Sequence, residues 1–100
     1  MNKMTDAIDL QGSFAPGDDV VGREVGGETI LLDLGTGIYF GLNEVGGKVW
    51  QSLDAGQKSI GELCDTIEQQ FDAKRETIER DVTALIQDLV ERGLVNQQAA

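Results

Sequence analysis

The sequence contains no histidine, one cysteine and one proline, and aromatic residues make up only 5% of it. Catalytic centres and zinc sites usually depend on histidine or on several cysteines. The single cysteine, Cys64, lies in an apolar helical stripe, where a thiol lacks the exposure and the neighbouring base that a nucleophile needs. The carboxylates are scattered and do not follow the spacing of a calcium loop. We therefore expect a protein that is not an enzyme, with no catalytic residue, no metal and no cofactor.

Positive charge is also scarce. Eight Lys and Arg residues stand against eighteen Asp and Glu residues, which gives a net charge of -10. Such a surface repels the phosphate backbone of nucleic acids, whose binding depends on Lys and Arg contacts, and it disfavours anionic membranes. It suits a partner that carries a basic patch, although acidity also simply keeps a small protein in solution. We expect neither nucleic acid nor membrane among its partners.

Long apolar runs are absent as well. No stretch approaches the roughly 18 residues that span a bilayer. The first 14 residues lack the apolar core of a secretory signal, and a single cysteine excludes an internal disulfide and fits a reducing compartment. These absences predict a cytoplasmic protein with one domain.

Alternating apolar residues predict a three-stranded antiparallel meander over residues 20–25, 28–34 and 38–42. Gly26-Gly27 is typical of a tight hairpin, and Gly35-Thr36-Gly37 turns the chain again. We expect one buried face to contain the side chains of Ile30, Leu32, Leu34, Ile38, Phe40 and Leu42. Tyr39 and Gly41 would then point outward. The third strand would form an edge of the sheet with no Lys, Pro or bulge to protect it from another strand.

From Asn43 the apolar period changes to that of helices. Asn43 is a suitable N-cap for a first helix with Trp50 in the core, and Ser59-x-x-Glu62 forms a capping box for a second. A third helix is predicted over residues 74–92, ending at the C′ glycine Gly93. Its narrow core stripe would consist of Ile78, Val82, Leu85 and Leu89. Its overhang, displaced to one side, would consist of Ile86 and Val90, alongside Arg75 and Glu79, with Thr83 further round. This overhang would pack under the sheet, form the floor of a groove between the third helix and the third strand, or do both.

The element order predicts an α+β fold like a winged helix-turn-helix, with the meander preceding three helices. We expect a flexible arm at residues 1–18, a domain at 19–95 and a loose tail at 96–100. Three functions fit this outline: a peptide binder that adds a strand to the open edge, a winged-helix DNA-binding or regulatory protein, and an assembly module that forms a homodimer through that edge. The mixed charges of the third helix argue against sequence-specific DNA binding.

Several stretches together resemble the PqqD-like proteins, the recognition elements for precursors of ribosomally made, modified peptides. The stretches are LLDLGTGIYFGLNEVGGKVWQSL, then Ser59-x-x-Glu62-Leu63, Arg80-Asp81-Val82, and Glu91-Arg92-Gly93-Leu94. The resemblance extends over about residues 19–95. It is to the broad group rather than to the proteins of the pyrroloquinoline quinone pathway, and to the freestanding form without a fused enzyme.

The resemblance implies a peptide chaperone that binds the leader segment of a precursor peptide and presents it to a modifying enzyme, a radical SAM protein or another. The leader would pair as an extra strand with the third strand and lie against the third helix. Carried over by position, the backbone contacts would come from Ile38, Tyr39, Phe40, Gly41 and Leu42. The side-chain contacts would come from Arg75, Glu79, Val82, Thr83 and Ile86.

Overall fold

The computed structural model describes residues 12–98, which form strands in two antiparallel sheets together with three helices. The strands are β1 (Ser13–Pro16), β2 (Val20–Val25), β3 (Glu28–Asp33), β4 (Tyr39–Leu42), β5 (Lys58–Ser59) and β6 (Val95–Gln98). The helices are α1 (Glu44–Asp54), α2 (Ile60–Gln70) and α3 (Arg75–Glu91). The predicted α+β fold, a meander followed by three helices, is confirmed. No helix within residues 12–98 has the length and apolarity needed to cross a membrane.

The meander consists of β2, β3 and β4 in that order. Val25 pairs with Glu28 across Gly26 and Gly27, whose φ angles are 60° and 88°. Two successive positive φ angles define the mirror-image turn that matches the twist of a hairpin, and glycine adopts them without strain. On the other side, Leu31 of β3 pairs with Phe40 of β4. Within residues 12–98, β4 has no partner on its far side.

A second sheet, in the order β5-β1-β6, differs from the expected flexible arm and loose tail. Ser13–Pro16 pairs with Val95–Gln98, and Phe14 is fully buried. Strands of two to four residues are too short to show alternation in the sequence, so only the isolated Phe14 could have indicated this sheet. The remainder of the expected arm, residues 1–11, and of the tail, residues 99–100, lies outside the described residues.

The expected faces of β3 were wrong by one residue. Leu31 is fully buried, whereas Leu34 is 60% exposed, and Ile30 and Leu32 lie on the outer side of the sheet. Directly paired residues share a face, so Leu31 joins Phe40 on the inner face of the meander. Because residues 30–32 are all apolar, the sequence allows either Leu31 or the pair Ile30 and Leu32 to face the core. The packing of the helices against one face of the sheet determines that Leu31 is the buried residue.

Helix α1 covers the inner face at short range. A Cβ atom added at Gly47 would lie 2.6 Å from the Thr29 Oγ1 atom of β3, and one added at Gly22 of β2 would overlap the Trp50 indole. These glycines therefore let the helix and the sheet approach closely. Trp50 is buried, as predicted. Asn43 caps the helix by accepting a 2.9 Å hydrogen bond from the Gly46 N–H.

Helices α2 and α3 complete the core. The predicted capping box is present: the Glu62 N–H donates to Ser59 Oγ at 3.1 Å, and the Ser59 N–H donates to Glu62 Oε1 at 2.8 Å. Cys64 is fully buried on the stripe that faces the core. Gly93, with a φ of 77°, ends α3 and turns the chain so that the Leu94 N–H donates to the Leu89 carbonyl. This geometry fixes the end of α3 against β6.

Candidate functional site

The free edge of β4 presents unpaired backbone groups. The Asp33 N–H donates to the Ile38 carbonyl at 3.0 Å across the turn that precedes β4. In an antiparallel pair, residues that bond to the partner strand alternate with residues that do not. Phe40 and Leu42 therefore direct their N–H and C=O groups to β3. Tyr39 and Gly41 direct theirs away from the sheet, where a further strand can accept and donate hydrogen bonds.

The side chains along this edge differ in exposure. Leu42 is buried at 4%, Phe40 is half-buried, and Ile38 and Tyr39 are 61% and 69% exposed. A Cβ atom added at Gly41 would make only an ordinary 3.8 Å contact with Ile30 Cδ1. The edge is therefore unobstructed, and its exposed residues are apolar.

Two cavities lie beside α3, one next to β4 and one next to the start of α1, and we describe them together as one groove. At one end, a cavity of about 220 Å³ is lined by Asp33, Thr36, Ile38, Phe40, Arg92 and Leu94. At the other end, a cavity of about 350 Å³ is lined by Asn43, Val45, Gly46, Asp81, Val82, Ala84 and Leu85. Residue numbers rise along β4 while they fall along α3, so the strand and the helix run in opposite directions. We call this feature the β4–α3 groove.

Arg92 joins the two walls of the groove at its first end. Its Cζ atom lies 4.6 Å from the centroid of the Phe40 ring. The Arg92 Nε–H also donates to Asp88 Oδ1 at 3.0 Å, one helical turn earlier. A guanidinium over an aromatic face contributes about 0.5–1 kcal/mol at exposed positions. The contact holds the Phe40 side chain against the helix and leaves the edge of β4 open.

The opposite flank of α3 is occupied by α2. The Arg75 guanidinium bonds to Glu79 at 2.9 Å, to Asp65 at 2.7 Å and to Glu68 at 2.9 Å. These hydrogen bonds, that of Glu79 first, raise the pKa of Arg75 above its already high ordinary value. Thr83 follows Glu79 by four residues and so lies on the same flank. We call this side the closed flank, and the side that carries Asp81, Leu85, Asp88 and Arg92 the open flank.

The predicted site residues thus fall into separate places. The structure brings Ile38, Phe40 and Val82 into the groove and leaves the backbone of Tyr39 and Gly41 at its edge. Arg75, Glu79 and Thr83 lie on the closed flank instead. Ile86, expected as an overhang, is fully buried, whereas Leu85, expected in the core stripe, is half-exposed. Positions 85 and 86 are about 100° apart on a helix, and the core lies between their two directions. A small error in the predicted direction of the core therefore exchanges which of the two residues is buried.

The residues of the open flank, Asp81, Leu85, Asp88 and Arg92, were not among the site residues expected from the sequence. Arg80-Asp81 and Arg92 belong to the stretches that carry the family resemblance, and this was the signal available in the sequence. Which flank faces the strand depends on where α2 packs, and periodicity does not determine that.

The described residues offer little for catalysis. Burial raises the pKa of the Cys64 thiol, which disfavours the thiolate. Residues 12–98 contain no group of three or more His, Cys, Asp or Glu side chains that could hold a metal ion. The notable features of the site are therefore a strand edge and a groove.

Two solved structures share this fold over nearly their full length. TbiB1, in complex with the TbiA(beta) leader peptide, matches 86% of this chain and 99% of its own, with a TM-score of 0.77 and 35% identity. A lasso peptide synthetase B1 complexed with the leader peptide matches 83% of this chain and 96% of its own, with a TM-score of 0.73 and 25% identity.

Sequence comparison indicates the same family. A PqqA binding protein of Bradyrhizobium diazoefficiens is 36% identical over 42 residues, which are 42% of this chain and 41% of that protein. This chain thus matches about two fifths of the relative's length. The family described as "Coenzyme PQQ synthesis protein D (PqqD)" matches residues 28–95, and the resemblance found in the sequence is confirmed. Because that match extends over more than half of the chain, the protein belongs to the PqqD family.

Proposed function

We propose that this protein binds the leader segment of a ribosomally made precursor peptide as an extra strand on β4. Tyr39 and Gly41 would exchange main-chain hydrogen bonds with the leader and set its register. Alternate side chains of the leader would enter the β4–α3 groove. The observation that carries this proposal is the unpaired edge of β4 beside an open apolar groove, in a fold shared with two proteins solved with leader peptides.

The side-chain contacts in this proposal come from the open flank of α3. Leu85 and Val82 would provide apolar surface at one end of the groove, and Ile38 and Phe40 at the other. Asp81, Asp88 and Arg92 would offer polar partners. Of the helix residues expected from the sequence we keep Val82 alone. Arg75, Glu79 and Thr83 lie on the closed flank, and Ile86 is inside the core.

The protein would act as a non-catalytic chaperone that presents the leader to a modifying enzyme, a radical SAM protein or another, in the cytoplasm. The absence of histidine and the burial of Cys64 support a binding role. A net charge of -10 argues against the winged-helix alternative, because DNA binding depends on neutralising phosphates with Lys and Arg. The family matches point to peptide partners and give DNA binding no support.

Proline substitution at the edge tests the binding mode. Tyr39→Pro removes an outward N–H of β4 without removing a hydrogen bond to β3. Glu24→Pro is the matched control. Val25 bonds to Glu28 across the hairpin turn, so the N–H of the preceding residue, Glu24, points away from β3 to the far edge of β2. Loss of one buried hydrogen bond with its partner left unpaired costs about 1–3 kcal/mol. We therefore expect leader affinity to fall about 10- to 100-fold for Tyr39→Pro and to stay unchanged for Glu24→Pro.

The measurement is fluorescence anisotropy with three labelled probes: the TbiA(beta) leader peptide, PqqA, and the leaders of short precursors encoded beside this protein's gene. NMR spectra of both variants check that they are folded. Equal affinity of folded Tyr39→Pro and wild type would contradict strand addition on β4. Failure of every probe to bind the wild-type protein would contradict leader binding itself.

A further inference from the structure

The outer face of the meander is apolar and uncovered. Its side chains belong to Val21, Arg23, Val25, Ile30, Leu32, Leu34 and Tyr39, which line a shallow concave surface of about 560 Å³. Val21 is 48% exposed and Val25 is 59% exposed. Contiguous exposed apolar surface of this kind marks interaction sites in proteins that are otherwise polar outside. We call this surface the outer face.

Neither the core of the domain nor the β4–α3 groove covers the outer face. The core of the domain lies against the opposite face of the sheet, where Leu31 is fully buried and Gly22 contacts Trp50. The β4–α3 groove lies on that inner side as well. Hydrogen bonds at the edge of β4 involve only its backbone. The exposed apolar side chains of the outer face therefore indicate a further binding partner.

The outer face is continuous with the edge of β4 at Tyr39. Successive residues of a strand point to opposite faces of a sheet. A leader paired with β4 would place every second side chain in the groove and the others on the outer face, next to Tyr39. Binding of the leader would thus widen the outer face from three strands to four.

The size of the face indicates which partner fits it. β2 and β3 are six residues long and β4 is four. With strands about 4.8 Å apart and about 3.3 Å per residue, they present about 250 Å². A stable interface buries about 800 Å² on each partner. A second copy of this chain would therefore bind weakly through the outer face alone. A partner that also contacts the bound leader and its continuation would bury considerably more.

The charged side chain that lines this concave surface is positive. Arg23 lies among the apolar side chains and is exposed. It takes part in none of the ion pairs found within residues 12–98. A partner that covers the outer face must meet this guanidinium, and a carboxylate does so with good geometry.

We propose that the outer face, extended by the bound leader, is the docking surface for the modifying enzyme, which contributes an apolar patch with a carboxylate opposite Arg23. This inference rests on the proposed leader binding. The leader would occupy the groove on the inner side of the meander, and the enzyme would contact the outer face together with the outward side chains of the leader. The enzyme should therefore bind the leader-loaded protein more tightly than the free protein, and by linkage it should tighten leader binding by the same factor.

The test compares two doubly substituted variants with the same change in charge. Val21→Glu with Val25→Glu alters β2, the strand of the outer face most distant from β4. Gln57→Glu with Ala73→Glu places the same charges at exposed positions away from the sheet. Isothermal titration measures binding of the labelled leader, and then binding of the modifying enzyme encoded beside this protein's gene, with and without leader. Arg23→Glu is measured in the same way.

We expect all variants to bind the leader like the wild type, which also shows that they are folded. Enzyme affinity should fall at least tenfold for the outer-face variant and for Arg23→Glu, and stay unchanged for the control. For the wild type, the leader should raise enzyme affinity about 5- to 150-fold.

Undiminished enzyme binding by the outer-face variant, with leader binding intact, would overturn this inference and leave the proposed function standing. An unchanged affinity for Arg23→Glu would overturn the carboxylate pairing. If sedimentation showed that the variant loses a self-association of the wild type while enzyme binding persists, the face would serve a second copy, and the inference would be overturned.

Discussion

The two flanks of α3 differ in what neighbours them. On the closed flank, Arg75 bridges from α3 to Asp65 and Glu68 of α2. On the open flank, Arg92 lies over the Phe40 ring of β4, and Leu85 lines a cavity beside the start of α1. Both flanks carry charged residues: Arg75 and Glu79 on the closed flank, and Asp81, Asp88 and Arg92 on the open flank. Whether a helix face is available to a ligand therefore depends on how closely a neighbouring helix packs against it, and not on its composition.

A matched pair of alanine substitutions tests this difference most directly. Leu85→Ala removes apolar surface from the open flank, and Thr83→Ala makes a similar truncation on the closed flank. Truncating an apolar anchor in an interface commonly costs more than 1 kcal/mol. We expect leader affinity, measured by anisotropy, to fall about tenfold for Leu85→Ala and to stay within twofold for Thr83→Ala. Equal losses would mean that the flanks do not differ in binding.

Two arginines of α3 test the end of the groove next to Phe40. Arg92→Met removes the cation from the Phe40 ring, whereas Arg80→Met removes an exposed cation that lies 3.7 Å from Asp81. Without this contact, the leader must order the Phe40 ring on binding, at a cost of up to roughly the 0.5–1 kcal/mol that the cation–π contact supplies. We expect leader affinity to fall about two- to fivefold for Arg92→Met only. An equal change for both variants would indicate a general charge effect.

The closed flank should matter for stability and not for binding. Arg75→Gln removes the charge that holds Asp65, Glu68 and Glu79 together. We expect a small fall in melting temperature that shrinks as salt is added, because ions screen exposed pairs. Leader affinity should equal that of the wild type. A loss of leader affinity in this variant would show that the closed flank takes part in binding after all.

Cys64 lies beneath the closed flank and gives a pH test of its burial. Burial raises the pKa of this thiol in the folded protein above its ordinary value of 9.0, which the unfolded chain keeps. As pH rises past 9.0, the unfolded chain releases this proton before the folded protein does, so stability falls. We expect the melting temperature to fall more between pH 8 and 10 for the wild type than for Cys64→Ala. Parallel curves would indicate a solvated thiol.

The sequence predicted those features that depend on local chemistry. Glycine pairs, an Asn cap and a capping box located the hairpin and the starts of two helices. The predicted inner face of β3 was wrong, and Leu85 and Ile86 exchanged their predicted places relative to the core of α3, because both features depend on how separate elements pack. The sheet that includes β1 and β6 was missed because its strands are short and distant in sequence, with Phe14 as their only strong apolar signal.

The pairing of Ser13 with Gln98 has a consequence for protein architecture. Paired residues of neighbouring strands have Cα atoms about 5 Å apart, so the chain enters and leaves the folded unit at one place. A unit with adjacent entry and exit can be inserted into a loop of another protein without separating the parts on either side. The groove and the outer face belong to the other sheet. This geometry would allow a recognition element to be built into an enzyme through two neighbouring connections, with its ligand surfaces left accessible.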